Sequence, residues 1–323
     1  MKRALLVGAL LGACTAAPDL SPVESEVLCD VFYCGTNGPI VVGFPFGELN
    51  EQHLMSPEGF RIIQTYAPNG DLVELDVTGP WPRIVWPSGM TKSGSQMVGT
   101  TIRLQTPNPV PNHQVTLRLT DFQLIPYYDG LPGPRIAAFD VEYLYFEPKV
   151  GTWINAELCP YETVDAQGIA DSWAIFSQGD RFSKTASIVA TGAAVGGWFN
   201  LSCAGSVPGK LLRIRHAKAA EDATHKTELD QREAALRMFT AKYCEDGLLY
   251  TIVGQPLTWE DYAPWNTPVE SHPEAIWTAK GAYCLVEPRY VDPKEILCDI
   301  PQCTDAELAD WRTHGWLMSS IPD

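Results

Sequence analysis

Basic residues are scarce in this sequence, which holds 23 lysines and arginines against 39 aspartates and glutamates among its 323 residues. The formal net charge of −16 at pH 7 makes a surface that repels phosphate backbones and anionic lipid head groups. We therefore expect no nucleic acid partner, and any membrane association has to come from something other than charge. An apolar fraction of 45% excludes disorder along the whole chain.

The signatures of common metal and catalytic sites are also missing. The sequence has no H-E-x-x-H, no pair of Cys-x2-Cys knuckles and no G-x-S-x-G nucleophile elbow, which argues against zinc sites and α/β-hydrolase serines. Residues 205–210 (GSVPGK) are one residue too short for a phosphate-binding loop and precede Leu211, so they predict a turn. From these patterns we predict no metal, no cofactor and no catalytic residue.

The N-terminal residues have the pattern of an export signal. Two basic residues precede an apolar run over residues 4–13 (ALLVGALLGA) that is too short to span a bilayer. The run ends in LGAC at residues 11–14, which resembles the lipobox cleaved by the lipoprotein signal peptidase of bacteria. We therefore predict a signal peptide over residues 1–13 and acylation of Cys14, for example with palmitate.

A lipid anchor at this cysteine would decide where the protein resides. Several acyl chains, each adding about 0.8 kcal/mol per buried methylene, hold a soluble domain stably on a membrane. Thr15 follows the cysteine in place of aspartate, which in Gram-negative lipoproteins implies sorting to the outer membrane. Residues 14–28 are acidic and contain prolines, so they predict a lipidated tether. In the alternative, an ordinary secretory signal is cut near Ala13, Ala16 or Ala17 and no anchor forms.

Eight cysteines remain after Cys14, and an even number in an exported chain indicates up to four disulfide bonds in an oxidising compartment. Each would stabilise the fold by about 2–4 kcal/mol. The sequence leaves the connectivity open. The pairs closest in sequence, Cys29–Cys34 and Cys298–Cys303, could close short loops. For the other four, we expect pairing among themselves, as Cys159–Cys203 and Cys244–Cys284.

Residues 29–150 have the pattern of a β-rich module. Residues 60–66 and 72–77 alternate apolar and polar side chains on either side of the turn sequence PNGD at 68–71, which predicts a β-hairpin. No run with helical spacing interrupts this region, so we predict a sandwich-like module or a strongly bent sheet. Four large residues spaced two apart are expected on one face of a later strand: Phe139, Val141, Tyr143 and Tyr145.

The pattern then becomes mixed, and we predict an α+β module over residues 151–290. Its clearest helix covers residues 227–243. The apolar residues recur at helical spacing (Leu229, Leu236, Phe239 and Tyr243), and the charged residues are expected on the solvent side (Glu228, Asp230, Arg232, Glu233 and Arg237). The expected fold class of the whole chain is thus α+β.

Residues 291–323 are predicted as a C-terminal tail with one short helix over residues 305–313. Thr304 has the position of an N-cap and Glu307 that of the third helical residue, a pairing typical of a capping box.

Residues 237–247 (RMFTAKYCEDG) and the following GQPL at 254–257 resemble the signature of the ADYC domain. The similarity covers about residues 151–290. The resemblance implies a lipoprotein of myxobacteria or their relatives and a domain without an established activity. Lys242 stands where the family has its eponymous aspartate. Where many members carry cysteines this chain has Leu211 and Ala235, which implies one disulfide fewer.

Within the ADYC-like motif, the residue types indicate architecture more than chemistry. Tyr243 and Cys244 are expected at the end of the helix, with Gly247 as a left-handed stop. The cysteine would then clamp the helix end to another element.

One segment combines acids with aromatic rings that could hold a sugar: Trp259, Glu260, Tyr262 and Trp265. Neighbours on an extended chain point in opposite directions, so Glu260 and Asp261 make a poor acid–base pair. A packing loop is the alternative to carbohydrate contact.

The sequence also has one basic cluster, whose members are Arg213, Arg215, His216 and Lys218. It could receive an anionic partner, but we expect a solvated strand edge.

These patterns favour an exported cell-envelope lipoprotein that serves as a non-enzymatic binding or surface-structural module. Its expected partners are the membrane, through the anchor, and an envelope protein or glycan. The alternative is an extracytoplasmic hydrolase that acts on polysaccharide or peptidoglycan through carboxylates. A hydrolase predicts a pocket with two acids and at least one raised pKa.

Overall fold

The computed structural model describes residues 38–107, 114–128, 135–147, 150–160, 163–164, 168–183, 185–251, 257–261 and 271–322. The predicted signal peptide and tether, and with them Cys14, Cys29, Cys34, Tyr262 and Trp265, lie outside these residues. In the part of the chain that is described, no helix is both long and apolar enough to cross a bilayer.

Strands dominate the described residues. The first eleven are β1 (Ile40–Val41), β2 (Phe44–Pro45), β3 (Glu48–Asn50), β4 (Arg61–Tyr66), β5 (Leu72–Thr78), β6 (Trp81–Val85), β7 (Thr91–Ser93), β8 (Thr101–Gln105), β9 (Gln114–Ile125), β10 (Ile136–Glu147) and β11 (Thr152–Glu157). The next eight are β12 (Ala174–Ser177), β13 (Asp180–Phe182), β14 (Ile188–Thr191), β15 (Trp198–Cys203), β16 (Thr258–Asp261), β17 (Ser271–Thr278), β18 (Gly281–Leu285) and β19 (Leu317–Pro322).

Helices are few and short. The α-helices are α1 (Val207–Arg213), α2 (Leu229–Thr240) and α3 (Asp305–Ala309). Short 3-10 helices lie at Gly94–Met97, Gly192–Val195, Lys218–Ala220, Pro293–Glu295 and Trp311–Thr313.

The large sheet has eleven antiparallel strands in the order β3-β15-β12-β10-β9-β8-β4-β5-β6-β7, with β11 on β10. The predicted hairpin forms β4 and β5, and the pair stays hydrogen-bonded only near the turn, at Thr65–Val73 and Tyr66–Leu72. Beyond this point the strands separate, and β5 and β6 fold back against β12. The strand-rich α+β fold with a strongly bent, sandwich-like sheet is thereby confirmed.

This sheet contains strands from both sides of residue 150. The predicted boundary between the β-rich and the α+β modules falls between β10 and β11, which pair with each other over Glu142–Glu157 to Glu147–Thr152. Within the sheet, Phe139 of β10 packs edge-on against Phe176 of the neighbouring strand β12, with ring centroids 5.7 Å apart. One apolar core therefore joins residues of both predicted modules.

A second sheet has the order β16-β19-β17-β18, and α2 packs on it. Leu236, Met238 and Phe239 of the helix share a second core with Trp277 of β17. The strand β19, from the predicted C-terminal tail, lies between β16 and β17. The short helix of that region is confirmed, because Thr304 and Glu307 form the expected capping box in front of α3.

The turn predicted for residues 205–210 is confined to Gly205 and Ser206, and the rest of the prediction is wrong because α1 begins at Val207. Pro208 occupies the first turn of this helix, where its missing N–H costs nothing. Gly209 is required by close contact, since a Cβ here would lie 2.2 Å from the Cys203 carbonyl oxygen.

Three disulfide bonds form among the described cysteines. Cys159–Cys203 matches the expected pair. The expected pair Cys244–Cys284 is wrong, because Cys244 bonds to Cys298 and Cys284 to Cys303. Cys298 and Cys303 therefore do not bond to each other. Cys298 links their segment to the ADYC-like motif, and Cys303 links it to β18.

Candidate functional site

The helix α2 ends earlier than predicted, and this ending positions the ADYC-like motif. Ala241 adopts the left-handed conformation with a φ of 48°, and its backbone N–H donates to the Met238 carbonyl at 3.2 Å. The left-handed stop is thus Ala241 and not Gly247. Tyr243 and Cys244 consequently lie beyond the helix rather than in its last turn, and both are buried.

Tyr243 reaches a buried polar network between α2 and the second sheet. Its hydroxyl donates to Glu274 Oε1 at 2.6 Å and accepts from the backbone N–H of Arg289 at 3.0 Å. Glu274 Oε1 also accepts from Arg289 Nε at 2.7 Å, while Glu274 Oε2 accepts from Ser319 Oγ at 2.7 Å. Trp277 Nε1 completes the chain by donating to Ser319 Oγ at 2.7 Å.

Every member of this network is nearly inaccessible to solvent. Burial, followed by the negative charge of Glu274, raises the pKa of Tyr243 far above its ordinary value, so the phenol stays protonated and acts as a donor. The second nitrogen of the Arg289 guanidinium donates to the Met238 carbonyl at 2.5 Å. The attraction within this ion pair and its additional hydrogen bonds offset the cost of taking both charges out of water.

The backbone of the motif is held as closely as its side chains. Ala282 N–H donates to the Tyr243 carbonyl at 2.9 Å. A Cβ at Gly281 would lie 2.2 Å from the same oxygen, so only glycine lets the turn between β17 and β18 approach the motif. The bond from Cys244 to Cys298 then fixes the next residue.

Lys242, which replaces the family's aspartate, turns away from the Tyr243 network. Its ammonium donates to the Thr185 carbonyl at 2.5 Å, and the residue is buried. Burial, together with the charge of nearby Arg237, lowers the pKa of Lys242. Arg237 itself donates to the carbonyls of Cys244 and Glu245 at 3.3 and 3.2 Å.

The solvent-facing positions predicted for α2 are therefore wrong for Arg232 and Arg237, which are both buried. Arg232 forms ion pairs with Asp180 and Glu221, each at 3.3 Å. Arg232 faces the loop that follows α1 and the β13–β14 hairpin. Glu228 and Asp230, in contrast, are exposed as predicted, and Leu229, expected on the apolar side, is exposed as well. Helical spacing alone does not distinguish a solvated face from a face that meets buried counter-charges.

The predicted solvated edge at residues 213–218 is also wrong. Arg213, Arg215 and His216 are buried, and the two guanidinium groups lie over the rings of Tyr128 and Tyr127, at 4.0 and 4.3 Å from the centroids. The two arginines at and after the end of α1 are therefore packed against aromatic rings and are not solvated as predicted.

The segment predicted to contact a sugar is divided between three environments. Trp259 packs against Phe239 in the core, with ring centroids 5.3 Å apart. Glu260 Oε2 accepts from Trp311 Nε1 at 3.2 Å, whereas Asp261 is buried beside His216 Nε2 at 3.1 Å. Glu260 and Asp261 thus point in opposite directions, as expected. Tyr262 and Trp265 lie outside the described residues.

Burial raises the pKa of two glutamates, Glu51 and Glu233. Each accepts a backbone N–H, from Val77 at 2.5 Å and from Ile188 at 2.6 Å. A cleft of about 460 Å³ lies elsewhere, beside Cys298. Neither Glu51 nor Glu233 lines this cleft. Among the described residues, the two carboxyl groups with a raised pKa therefore lie away from it. The described part of the chain also holds no group of three or more His, Cys, Asp and Glu side chains suited to a metal ion.

Sequence reasoning missed Glu274 and Arg289 entirely. Glu274 stands in the strand sequence HPEAIWT at 272–278, and an acid next to a buried apolar run is the one local signal for it. Nothing local identifies Arg289 as its partner, because β17 and the loop after β18 bring the two residues together only in the folded chain.

A family model for the ADYC domain matches residues 94–291, which is more than half of the chain and begins within the predicted β-rich module. The match includes the Tyr243 network apart from Ser319, together with the Cys159–Cys203 bond. No curated protein and no solved structure matches this chain. The chain therefore belongs to the ADYC domain family.

Proposed function

We propose that this chain is an exported cell-envelope lipoprotein, held on the outer membrane by acylated Cys14. Its ADYC domain serves as a non-enzymatic binding or surface-structural module. One observation carries the second half of the proposal: the motif residues Tyr243 and Cys244 are fully engaged inside the molecule, in the Glu274–Arg289 network and in the bond to Cys298.

Two buried acids, Glu274 and Asp180, are used in the same way. Glu274 is held by three side chains, and Asp180 binds the Lys218 backbone N–H at 2.6 Å beside Arg232. A catalytic acid must exchange protons with a substrate, whereas these carboxylates act as anchors for neighbouring elements. This arrangement supports a rigid display module better than a hydrolase.

The disulfides support an extracytoplasmic address, because such bonds persist in oxidising compartments. The lipid anchor is supported by the LGAC sequence at residues 11–14. Since the mature chain would carry 21 basic (23 − 2) and 39 acidic residues, charge opposes binding to anionic bilayers, and the acyl chains have to supply the attachment.

The test is the intact mass and membrane partition of the mature protein, with Cys14→Ala as the variant. We expect a mass that begins at Cys14 with acyl chains, and loss of Cys14→Ala from the membrane fraction with unchanged folding by circular dichroism. Retention of Cys14→Ala on membranes would contradict the anchor. Turnover of peptidoglycan or polysaccharide by the purified protein, abolished by Glu51→Gln or Glu233→Gln, would contradict the non-enzymatic module.

A further inference from the structure

The hairpin of β10 and β11 exposes an apolar surface on the outside of the large sheet. Phe146 and Trp153 lie opposite each other in the ladder with ring centroids 5.7 Å apart, and both are exposed. Leu144 precedes Phe146 on the same face, and Val150 at the turn is 65% exposed. We call these four residues the hairpin patch.

The hairpin patch departs from the alternation expected of a half-buried sheet, in which one face is apolar and the other polar. The inner face of β10 is already apolar, because Tyr143 and Tyr145 stack at 5.7 Å and pack on the core. The outward Phe146 and Trp153 contact each other and are not part of this core. Large aromatic side chains exposed together at the tip of a hairpin are typical of a surface that meets another apolar phase.

The chain enters the domain next to β10, on the strand face opposite to the hairpin patch. Described residues begin at Gly38, and the backbone of Val42 hydrogen-bonds the hydroxyl of Tyr143 on β10. Cys14 precedes Gly38 by 24 residues (38 − 14), which span at most about 80 Å when fully extended. An anchor at Cys14 would thus hold the hairpin near the bilayer at a high effective concentration, so that even a weak contact is populated.

We propose that the hairpin patch lies in the head-group region of a zwitterionic phospholipid surface when the protein is anchored, an inference that rests on the lipoprotein function proposed above. Tryptophan and phenylalanine are favoured at this depth, because their rings are apolar and the indole N–H can still reach water.

The charged residues of the hairpin indicate which lipid head groups it would tolerate. Glu142, Glu147 and Glu157 lie on the same two strands, and Glu142 is paired across the ladder with Arg118 on β9. Counted with Arg118 and with Lys149, which precedes Val150 in the sequence, the three glutamates leave a net charge of −1, which disfavours phosphatidylglycerol and accepts phosphatidylcholine or phosphatidylethanolamine.

The experiment places an environment-sensitive fluorophore on the hairpin of the acylated full-length mature protein. Val150→Cys carries the label, and Val189→Cys on β14, 60% exposed against 65% for Val150, is the matched control. Both proteins are reconstituted into phosphatidylcholine vesicles that contain nitroxide-labelled phosphatidylcholine. We expect quenching at position 150 to exceed that at position 189 by at least about twofold, and to fall when phosphatidylglycerol is added.

A second variant separates the patch from the anchor. Phe146→Ser with Trp153→Ser should reduce quenching at position 150 to the control level while the protein still floats with the vesicles. Equal quenching at positions 150 and 189 in protein that floats would overturn the hairpin proposal alone. Failure to float would remove the anchor and the proposal that rests on it. A concentration-dependent dimer in detergent that the double substitution abolishes would assign the patch to a second copy instead.

Discussion

Tyr243 connects three parts of the chain through one oxygen atom. The hydroxyl donates to Glu274 on β17 and accepts from the backbone of Arg289 in the loop after β18, while the residue itself follows α2. Because the phenol is buried with a raised pKa, water cannot replace either partner. A hydrogen bond to a buried charged group contributes about 1.5–3 kcal/mol, more than a bond between neutral groups at the surface.

Tyr243→Phe should therefore lower the free energy of unfolding by roughly 2–3 kcal/mol, since it also leaves the Arg289 N–H without its acceptor. Urea denaturation under non-reducing conditions measures the change. Tyr250→Phe is the matched control, because its hydroxyl donates to the Glu295 carbonyl in an exposed contact; it should cost about 1 kcal/mol or less. Equal losses in the two variants would show that the network has no special weight.

Two glutamates give opposite pH dependences. Burial raises the pKa of Glu233 above 4.5, so the folded state keeps a proton that the unfolded state releases, and its contribution to stability falls as the pH rises through 4.5 toward the folded value. Hydrogen bonds from Thr304 lower the pKa of Glu307, so its contribution is present above pH 4.5 and is lost as the pH falls below it.

Glu233→Gln should accordingly flatten the decline in stability above pH 4.5, whereas Glu307→Gln should flatten the loss below it. Urea midpoints between pH 3 and 7, taken as differences from the unsubstituted protein, give both slopes. The same sign of change in the two variants would contradict the assignment.

At the scale of elements, the disulfides differ in exposure. Cys159, Cys203 and Cys284 are buried, whereas Cys298 is exposed at the edge of the cleft formed by residues 285–302. Its bond to Cys244 joins the end of α2 to a segment that has only one short 3-10 helix. Attack by an external thiolate requires access to a sulfur atom.

We therefore expect mild reductant under native conditions to open Cys244–Cys298 before the other two bonds. Pulsed alkylation followed by peptide mass spectrometry should find label on Cys244 and Cys298 first. In the chain-entropy model, a bridge that closes a loop of 54 residues contributes about 4 kcal/mol, so this reduction alone should lower the thermal midpoint measurably. Simultaneous labelling of all six cysteines would point to global unfolding instead.

On the scale of the whole molecule, the sequence correctly predicted those features that depend on contacts between residues close together in the chain. The hairpin around Gly70 and the Thr304 capping box need only neighbours in sequence. The pairing of Cys244, the burial of Arg232 and the Glu274–Arg289 pair depend on partners far along the chain. Charged residues on one side of a helix indicate solvent on average, and for Arg232 the buried counter-charges of Asp180 and Glu221 reverse that expectation.

The continuity of the large sheet predicts that its N-terminal part does not fold alone. A fragment of residues 29–150 lacks β15, the partner of β3, and β12 with Phe176, which packs on Phe139. We expect the fragment to lack a cooperative thermal transition by circular dichroism, in contrast to the full chain. Cooperative unfolding of the fragment would instead establish an independent module that ends near residue 150.

The order of the second sheet has a consequence for synthesis. The strand β19 lies between β16 and β17 but follows both in the chain, and it carries the Ser319 that binds Glu274. A ribosome completes β16, β17 and β18 before the strand that joins two of them exists. Until residue 322 has emerged, the apolar side of α2 and the carboxylate of Glu274 lack this strand, so the second sheet closes only after the last of its strands is available.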